Sequence, residues 1–414
     1  MPFSSLGLSP PLIRAVEESN YVAPTPIQTA VIPAVLDGRD VWACAQTGSG
    51  KTAAFALPLL QQHAGERAET PLQVRALILV PTRELAAQVG ESIRNYARYL
   101  SRPVKVLTMF GGVSINPQMM ALRGGADVIV ATPGRLLDLV DRNALSLRSV
   151  ARLVLDEADR LLDLGFADEL RSVLERLPEQ RQNLLFSATF PPEVHALAEN
   201  LLRDPVRVDV PATAETTPDI LQRAIRVDTA RRTQLLRHLI QEHDWTRVLV
   251  FVATKYATEH VAEKLRRAGI NAAAFHGELS QGARTKTLAD FKASKLQVVV
   301  ATDVAARGID ITQLPAVVNY DLPRSAADYT HRIGRTGRAG ESGVAVSFVV
   351  ADSEAHFRLI EKRHRLDLSR ETIVGFEPVE TAAPAEAPAA ASTGGIKGKR
   401  KSKKDKFREQ PGRS

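Results

Sequence analysis

Residues 41–52 read VWACAQTGSGKT, an apolar run followed by a glycine-rich turn and then by the helical pattern of residues 53–60. Glycines let backbone N–H groups turn inward around a phosphate, and the start of a helix adds a favourable dipole. Lys51 supplies a positive charge, and the Thr52 hydroxyl is suited to Mg²⁺. The strict pattern has glycine where this chain has Ala45. The spacing predicts a phosphate loop; a glycine-rich turn with a surface lysine is the alternative.

Short apolar, β-branched runs alternate with helical patterns on both sides of this segment, which indicates βαβ units and parallel sheets. The candidate strands of the first half are residues 41–45, 76–80, 104–109, 128–131, 153–155 and 184–186; those of the second half are 248–251, 272–275, 298–301, 316–319 and 344–349. Between the halves, residues 204–219 hold three prolines and a Thr/Ala-rich stretch. This composition is typical of a linker.

The chain therefore divides into two α/β domains and a tail. We predict a first domain at residues 1–206, a linker at 207–219, a second domain at 220–370 and a disordered basic tail at 371–414. Residues 382–391 are rich in Ala, Pro and Glu, and a lysine- and arginine-rich segment follows them. Such a segment lacks the apolar residues that offset the loss of chain entropy on folding.

The net charge of +7 belongs to the tail. Residues 392–414 hold nine Lys/Arg and two Asp/Glu, while the preceding 391 residues hold 45 of each. Any basic groove on the domains must therefore come from local arrangement. For the tail, the expected role is a non-specific nucleic-acid tether, and a solubilising extension is the alternative.

The remaining composition is that of an ordinary globular protein, with 44% hydrophobic and 24% charged residues in 414. A single cysteine, Cys44, excludes an internal disulfide framework and a Cys-based zinc cluster. The first residues resemble no secretory signal, and no apolar run is long enough to cross a bilayer. We expect a cytoplasmic location and no membrane contact.

A second chemical signal follows the apolar run of residues 152–155, where the chain reads Asp156-Glu157-Ala158-Asp159. Ligands of open α/β folds bind at the carboxyl edge of the sheet, which is where these acids lie. One carboxylate can hold Mg²⁺ and its neighbour can polarise an attacking water. A solvated helix start is the alternative. Downstream of a phosphate loop, the catalytic interpretation is favoured.

Further polar segments follow other strands. They are residues 81–86 (PTRELA), 132–135 (TPGR), 187–189 (SAT), 302–310 (TDVAARGID) and 331–338 (HRIGRTGR). Arginine makes planar, bidentate phosphate contacts and can supply transition-state charge as an arginine finger. Each segment alone could be a loop with solvated charges. Their common position at strand ends of both halves does not fit that alternative.

Together these segments closely resemble the DEAD-box family of ATP-dependent RNA helicases, over roughly residues 3–365. The family form of the phosphate loop has alanine at the place of Ala45, and residues 25–28, with Tyr21 before them, resemble the adenine-recognising Q motif. The family usually has Gly-aromatic where this chain has Asn20-Tyr21. Residues 3–28 and 375–378 look most like the bacterial RhlE-like subgroup. The resemblance implies an α/β fold of two tandem RecA-like domains.

The resemblance also implies which residues serve ATP. Gln28 would read the adenine edge and Tyr21 would stack on the ring, with Phe3 as a second candidate. The implied nucleotide-binding residues are Tyr21, Thr25, Gln28, Gln46, Thr47, Gly48, Ser49, Gly50, Lys51, Thr52, Gly308 and Asp310. The implied catalytic residues are Lys51, Asp156, Glu157, Arg335 and Arg338, with Glu157 as the base. Thr52 and Asp156 would hold Mg²⁺, largely through water.

Two more sets are implied by the resemblance. Residues that couple hydrolysis to domain closure would be Asp159, Ser187, Thr189, Arg307 and His331. RNA-backbone contacts would come from Arg83, Gly111, Gly112, Thr132, Arg135, Arg284 and Thr302. Such contacts carry little sequence preference, and 2′-OH contacts would favour RNA over DNA.

The expected function is ATP-dependent local separation or remodelling of RNA duplexes and RNA–protein complexes, coupled to domain closure. An ATP-gated RNA clamp or annealing factor and a DNA-directed superfamily 2 motor are the alternatives. Ribosomal precursors or RNA-decay complexes are candidate partners, and a monomer is expected.

Overall fold

The structure, a computed structural model, describes residues 2–19, 21–45, 48–66, 70–210, 220–306, 309, 311, 313–337 and 342–381. The described part contains two parallel seven-stranded sheets, each flanked by helices. This is the predicted pair of α/β domains. No helix in these ranges has the length and apolar character needed to cross a membrane.

The first sheet has the order β3-β4-β2-β5-β6-β1-β7. Its strands are β1 Val41–Cys44, β2 Ala76–Leu79, β3 Val106–Met109, β4 Val128–Ala131, β5 Arg152–Leu155, β6 Gln182–Ser187 and β7 Val206–Asp209. Its helices are α1 Pro10–Glu18, α2 Pro26–Leu36, α3 Lys51–Ala64, α4 Arg83–Tyr96, α5 Asn116–Ala121, α6 Pro133–Asp141, α7 Ala158–Asp163, α8 Ala167–Leu174 and α9 Pro192–Leu201, with 3-10 turns at Phe3–Leu6 and Ala97–Tyr99.

The second sheet has the order β10-β11-β9-β12-β13-β8-β14. Its strands are β8 Ile220–Arg226, β9 Val248–Phe251, β10 Ala272–Phe275, β11 Val298–Ala301, β12 Ala316–Asn319, β13 Gly343–Val349 and β14 Arg370–Glu371. Its helices are α10 Arg232–Glu242, α11 Lys255–Arg267, α12 Gln281–Lys292, α13 Asp303–Ala306, α14 Ala326–Ile333 and α15 Glu354–His364, with 3-10 turns at Thr229–Arg231 and Ala351–Ser353.

Helices cover both faces of each sheet, so the inner strands are continuous apolar runs without polar alternation. Every residue of β4 and of β11 is buried. On one face of the first sheet, Phe55 of α3 lies 5.4 Å from Phe186 of β6, measured between ring centroids. This packing fixes the helix that begins at the phosphate loop.

Strand register brings the chemical segments to one edge. Cys44, the last residue of β1, is opposite Ser187, and Leu155, the last residue of β5, is opposite Leu185. The loops after β1, β5 and β6 therefore leave the sheet side by side.

The domain boundaries differ from those predicted in two places. Residues 206–209 form the edge strand β7 against β1, so the first sheet extends into the segment predicted to be linker. Residues 371–381 lie on the second domain, where Asp228 Oδ1 accepts hydrogen bonds from the backbone N–H groups of Val379 and Glu380, both at 2.9 Å. The rest of the predicted linker and tail, residues 211–219 and 382–414, lies outside the described residues.

Candidate active site between the two domains

The phosphate loop folds around the side chain of Lys51. Gly48 and Gly50 have φ angles of 85° and 92°, a left-handed conformation that glycine adopts without strain. Lys51 begins α3, is buried, and donates from Nζ to the carbonyl of Ala45 at 3.0 Å. Gln46 and Thr47 lie outside the described residues. The loop and the first turn of α3 thus surround one buried cation.

Gln28 connects the first helical segment to this loop. Its side-chain Oε1 accepts from the backbone N–H of Thr25 at 3.0 Å, and its Nε2 donates to the carbonyl of Gly50 at 3.2 Å. A Cβ atom at Gly50 would overlap that Nε2. The side chain predicted to read a nucleobase is therefore also in direct contact with the phosphate loop.

Tyr21 lies at the margin of the first-domain core. Its hydroxyl is 3.2 Å from that of Tyr96, and its ring is edge-on to Phe3 with 6.1 Å between centroids. Both predicted stacking rings thus touch each other.

The acidic segment is buried at the end of β5. Asp156 Oδ1 accepts from the backbone N–H of Glu157 at 3.0 Å. Burial raises the pKa of Asp156 to about 6; Lys51 opposes this rise, and the Glu157 carboxylate adds to it. Glu157 has a φ of 53°, an unusual conformation for a residue with a side chain. Its Oε2 is buried and has no hydrogen-bond partner among the described residues.

The donors near the loop fit a magnesium ion that arrives with phosphates. No group of three or more His, Cys, Asp or Glu side chains placed to hold a metal occurs in the described ranges. The Thr52 hydroxyl and the Asp156 carboxylate are hard oxygen ligands. Mg²⁺ is commonly bound by one or two such protein ligands together with waters and substrate phosphates. The residues present fit that arrangement.

Three predicted coupling residues form one network. Asp159 Oδ2 accepts from the backbone N–H of Thr189 at 3.0 Å and from its hydroxyl at 2.8 Å. Ser187 Oγ accepts from the backbone N–H of Asp159 at 3.3 Å and donates to the Thr189 carbonyl at 2.6 Å. The acidic segment and the loop after β6 are therefore joined directly.

The second domain faces this edge through α14 and the residues after it. Arg335 is buried and donates to the Ile309 carbonyl at 2.7 Å. Burial, and then Arg160 of the first domain, lower the pKa of His331 to about 4, while Asp159 opposes the shift. His331 and Arg335 thus lie at the domain interface. Arg307, Gly308, Asp310 and Arg338 lie outside the described residues.

Arg332 has a structural role that sequence reasoning did not assign. Its guanidinium makes two 2.6 Å bonds to the Asp303 carboxylate, and also donates to Asn319 Oδ1 at 3.1 Å and to the Asp321 carbonyl at 2.6 Å. It joins the ends of β11 and β12 to α14. The available signal was that Asp303 and Arg332 both lie in the segments singled out above.

Of the predicted RNA contacts in the first domain, Arg83 and Gly112 adjoin each other. A Cβ atom at Gly112 would overlap the Arg83 guanidinium. Thr132 and Arg135 are buried, and Arg135 donates from Nη2 to the Val113 carbonyl at 2.9 Å. Arg135 therefore holds the loop that contains Gly111 and Gly112.

In the second domain, Thr302 is partly exposed after β11, whereas Arg284 is buried against the first domain. Arg284 Nε lies 2.9 Å from Glu84 Oε1, and Gln281 Nε2 donates to the same oxygen at 3.3 Å. Glu84 had no predicted role, although it lies in residues 81–86 beside Arg83. Arg284 was predicted to face RNA, and in the structure it contacts the first domain.

Comparisons with known proteins agree with this arrangement. Residues 25–197 match the DEAD/DEAH box helicase family, and residues 231–340 match the helicase conserved C-terminal domain. The ATP-dependent RNA helicase DeaD of Mycobacterium tuberculosis is 44% identical over 92% of this chain and 66% of its own length. The ATP-dependent RNA helicase CshA of Limosilactobacillus reuteri is 41% identical over 88% of this chain and 72% of its own.

Solved structures show the same fold. The structure of Saccharomyces cerevisiae Dbp5 bound to RNA and ADP BeF3 is 32% identical, with a TM-score of 0.79 over 90% of this chain and 95% of that one. The present chain spans about two-thirds of the DeaD of M. tuberculosis and 57% of the DeaD of Escherichia coli. The RhlE-like assignment remains a prediction.

Proposed function

Because this chain belongs to the DEAD-box helicase family, we propose that it is an ATP-dependent RNA helicase that locally separates or remodels RNA duplexes. One observation carries the proposal. Arg160, which follows the acidic segment of the first domain, lines one cavity with His331 and Arg335 of the second domain, and Asp159 of that segment lies within electrostatic reach of His331. A site divided in this way is complete only when the domains are closed.

The roles in hydrolysis follow from charge and position. Lys51 neutralises charge on the β- and γ-phosphates, and Thr52 and Asp156 would hold Mg²⁺, which would offset further phosphate charge. Glu157, whose Oε2 has no other hydrogen-bond partner among the described residues, polarises the attacking water. Arg335, with Arg338, supplies positive charge from the second domain. Gln28 and Tyr21 recognise adenine, and Gln28 relays its presence to Gly50 through their hydrogen bond.

Domain closure couples ATP to RNA. The two halves of the RNA surface lie on different domains, at Arg83, Gly111, Gly112 and Thr132 on one and at Thr302 on the other. A ligand that favours the closed form raises the affinity for the other ligand by the same factor. The network of Asp159, Ser187 and Thr189 joins the acidic segment to the loop after β6, and Asp159 lies within electrostatic reach of His331 on α14, so this network can report the state of the nucleotide. Ribosomal precursors and RNA-decay complexes are the proposed settings.

The test is the Glu157→Gln variant, with the exposed Glu179→Gln as a matched control. Glu157→Gln should keep ATP and RNA binding and lose RNA-stimulated ATP turnover by at least about 100-fold, because a general base contributes about that much. RNA-stimulated hydrolysis that survives this change would show that Glu157 is not the base. Stimulation by DNA equal to that by RNA would favour a DNA motor, and ATP-dependent binding without duplex separation would favour a clamp.

A further inference from the structure

Tyr256 is an exposed aromatic residue that the proposed chemistry does not use. It lies in the first turn of α11, at the start of the helix that follows β9, and is 74% exposed. Every other Phe, Tyr or Trp in the described ranges is buried or partly buried. Covering an aromatic ring removes a large apolar surface from water. The ring of Tyr256 is therefore available to a ligand.

His260 holds this ring from one side. It lies four residues further along α11, on the same face of the helix. The two rings are stacked, with 5.7 Å between their centroids and 13° between their planes. Because Tyr256 is 74% exposed, the face of its ring away from His260 is open to solvent. The pair thus presents one flat aromatic face in a fixed orientation.

The strand order places this face beside Thr302, a proposed RNA contact. Strand β11, which ends just before Thr302, lies between β9 and β10. The first turn of α11 begins after β9 and is tied to the segment after β10 by two contacts: Lys255 Nζ pairs with Glu278, and His276 Nε2 lies 3.0 Å from Glu259 Oε1. The first turn of α11 therefore lies beside the end of β11.

A second apolar side chain is exposed at the same edge. Val304, two residues after Thr302, is 62% exposed. Lys255, next to Tyr256, is already paired with Glu278. What this part of the edge offers to a ligand is therefore apolar and aromatic surface. The bases of a single strand expose flat aromatic faces, whereas those of a duplex cover them by stacking.

We propose that Tyr256, backed by His260, is a stacking platform for one base of single-stranded RNA on the second domain. The inference rests on the proposed function, because it adds a base contact to the backbone contact proposed for Thr302. Every base has an aromatic face, so such a platform favours a single strand without selecting a sequence. Tyr256 is thus proposed to bind a base rather than a phosphate.

The test compares the Kd for a short single-stranded RNA, measured with a non-hydrolysable ATP analogue, between variants of the ring. Tyr256→Ala should raise this Kd by about tenfold, because stacking of one base on an aromatic side chain contributes about that much. Tyr256→Phe keeps the ring face and should bind within about twofold of the unaltered protein. The slope of log Kd against log salt concentration should be the same in all three, since a ring releases no counterions.

An RNA of the same length with abasic nucleotides throughout separates a base contact from a backbone contact. The ratio of the Kd for the abasic RNA to the Kd for the ordinary RNA should be about tenfold smaller in Tyr256→Ala than in the unaltered protein. Leu359→Ala is the matched control, because it removes an exposed apolar side chain from α15 of the same domain. Both of its Kd values should equal those of the unaltered protein, and thermal unfolding shows whether each variant folds.

Three outcomes would overturn the platform. They are an unchanged RNA affinity in Tyr256→Ala, which would leave the exposed pair to a protein partner, a loss in Tyr256→Phe as large as that in Tyr256→Ala, and an equal loss on ordinary and abasic RNA. An unaltered chain whose ATP hydrolysis is not stimulated by RNA would refute the proposed function instead. The Kd comparison and the hydrolysis measurement therefore fail separately.

Discussion

Gly112 shows how one residue without a side chain serves the proposed RNA surface. Its φ of 71° lies in the left-handed region, and the space that a Cβ would occupy is filled by the Arg83 guanidinium. Gly112 therefore permits the left-handed turn and also leaves space for the Arg83 guanidinium. Gly111, its neighbour, has open space around the position of a Cβ.

We predict that Gly112→Ala lowers RNA affinity by about tenfold, because displacing Arg83 removes a charge-assisted contact of that order. Gly111→Ala is the comparison, since alanine fits there without displacing a side chain, and its loss should be much smaller. Titrations of labelled single-stranded RNA without nucleotide measure both. Equal losses in the two variants would contradict the role of Gly112 in placing Arg83.

At the same scale, sequence reasoning identified residues better than it identified their partners. The positions of Lys51, Asp156 and Glu157 at a strand edge follow from the pattern of apolar runs and glycines. Arg284 was predicted at the RNA surface, which stays a prediction, and its contact with Glu84 of the first domain was not foreseen. A linear pattern places a side chain at an edge of the sheet, but the direction in which the side chain points depends on how two domains meet.

At the scale of elements, all eleven predicted strands are present, because each is a largely apolar run. They include β3 and β10, which lie at sheet edges. Three others were missed: β7, β8 and β14. Strands β7 and β14 lie at sheet edges, and β8 carries arginines at 223 and 226 among its apolar residues. In these strands, charged residues and neighbouring prolines hide the pattern.

Helices α4 and α12 meet across the domain interface, and this contact yields a prediction for Arg284. Glu84 lies in the first turn of α4, and Gln281 and Arg284 lie in the first turn of α12. Without nucleotide, Arg284→Gln should leave unchanged the slope of log Kd for RNA against log salt concentration. The coupling ratio, which is the Kd for single-stranded RNA without nucleotide divided by its Kd with a non-hydrolysable ATP analogue, should fall by about tenfold. Arg83→Gln, in contrast, should lower the magnitude of that salt slope by about one. A reduced slope in Arg284→Gln would show that this arginine contacts phosphate after all.

At the scale of the whole molecule, the proposed hydrolysis of ATP depends on the closure of the two domains. The proposed catalytic carboxylates lie on one domain and the proposed catalytic arginines on the other. Under the proposed function, the closed arrangement that hydrolyses ATP would therefore also join the two halves of the proposed RNA surface. Closure further buries groups that are hydrated when the domains are apart, including Arg160 and His331. The free energy of closure therefore depends on the ionisation of His331.

His331 gives closure a predictable dependence on pH. Burial, and then Arg160, lower its pKa from 6.5 to about 4. The closed form binds this proton more weakly than a hydrated imidazole does, so closure is unaffected above pH 6.5 and is opposed as the pH falls from 6.5 towards 4. The coupling ratio should fall by about tenfold between pH 7.5 and pH 5.5, because at pH 5.5 the protonated form of a hydrated imidazole is about tenfold more abundant than the neutral form.

His331→Gln should lose that part of the pH dependence. Asp156 also titrates in this range, with a pKa of about 6, so the difference between the two proteins is the quantity that reports on His331. Identical pH profiles would show that the imidazole is not buried by closure.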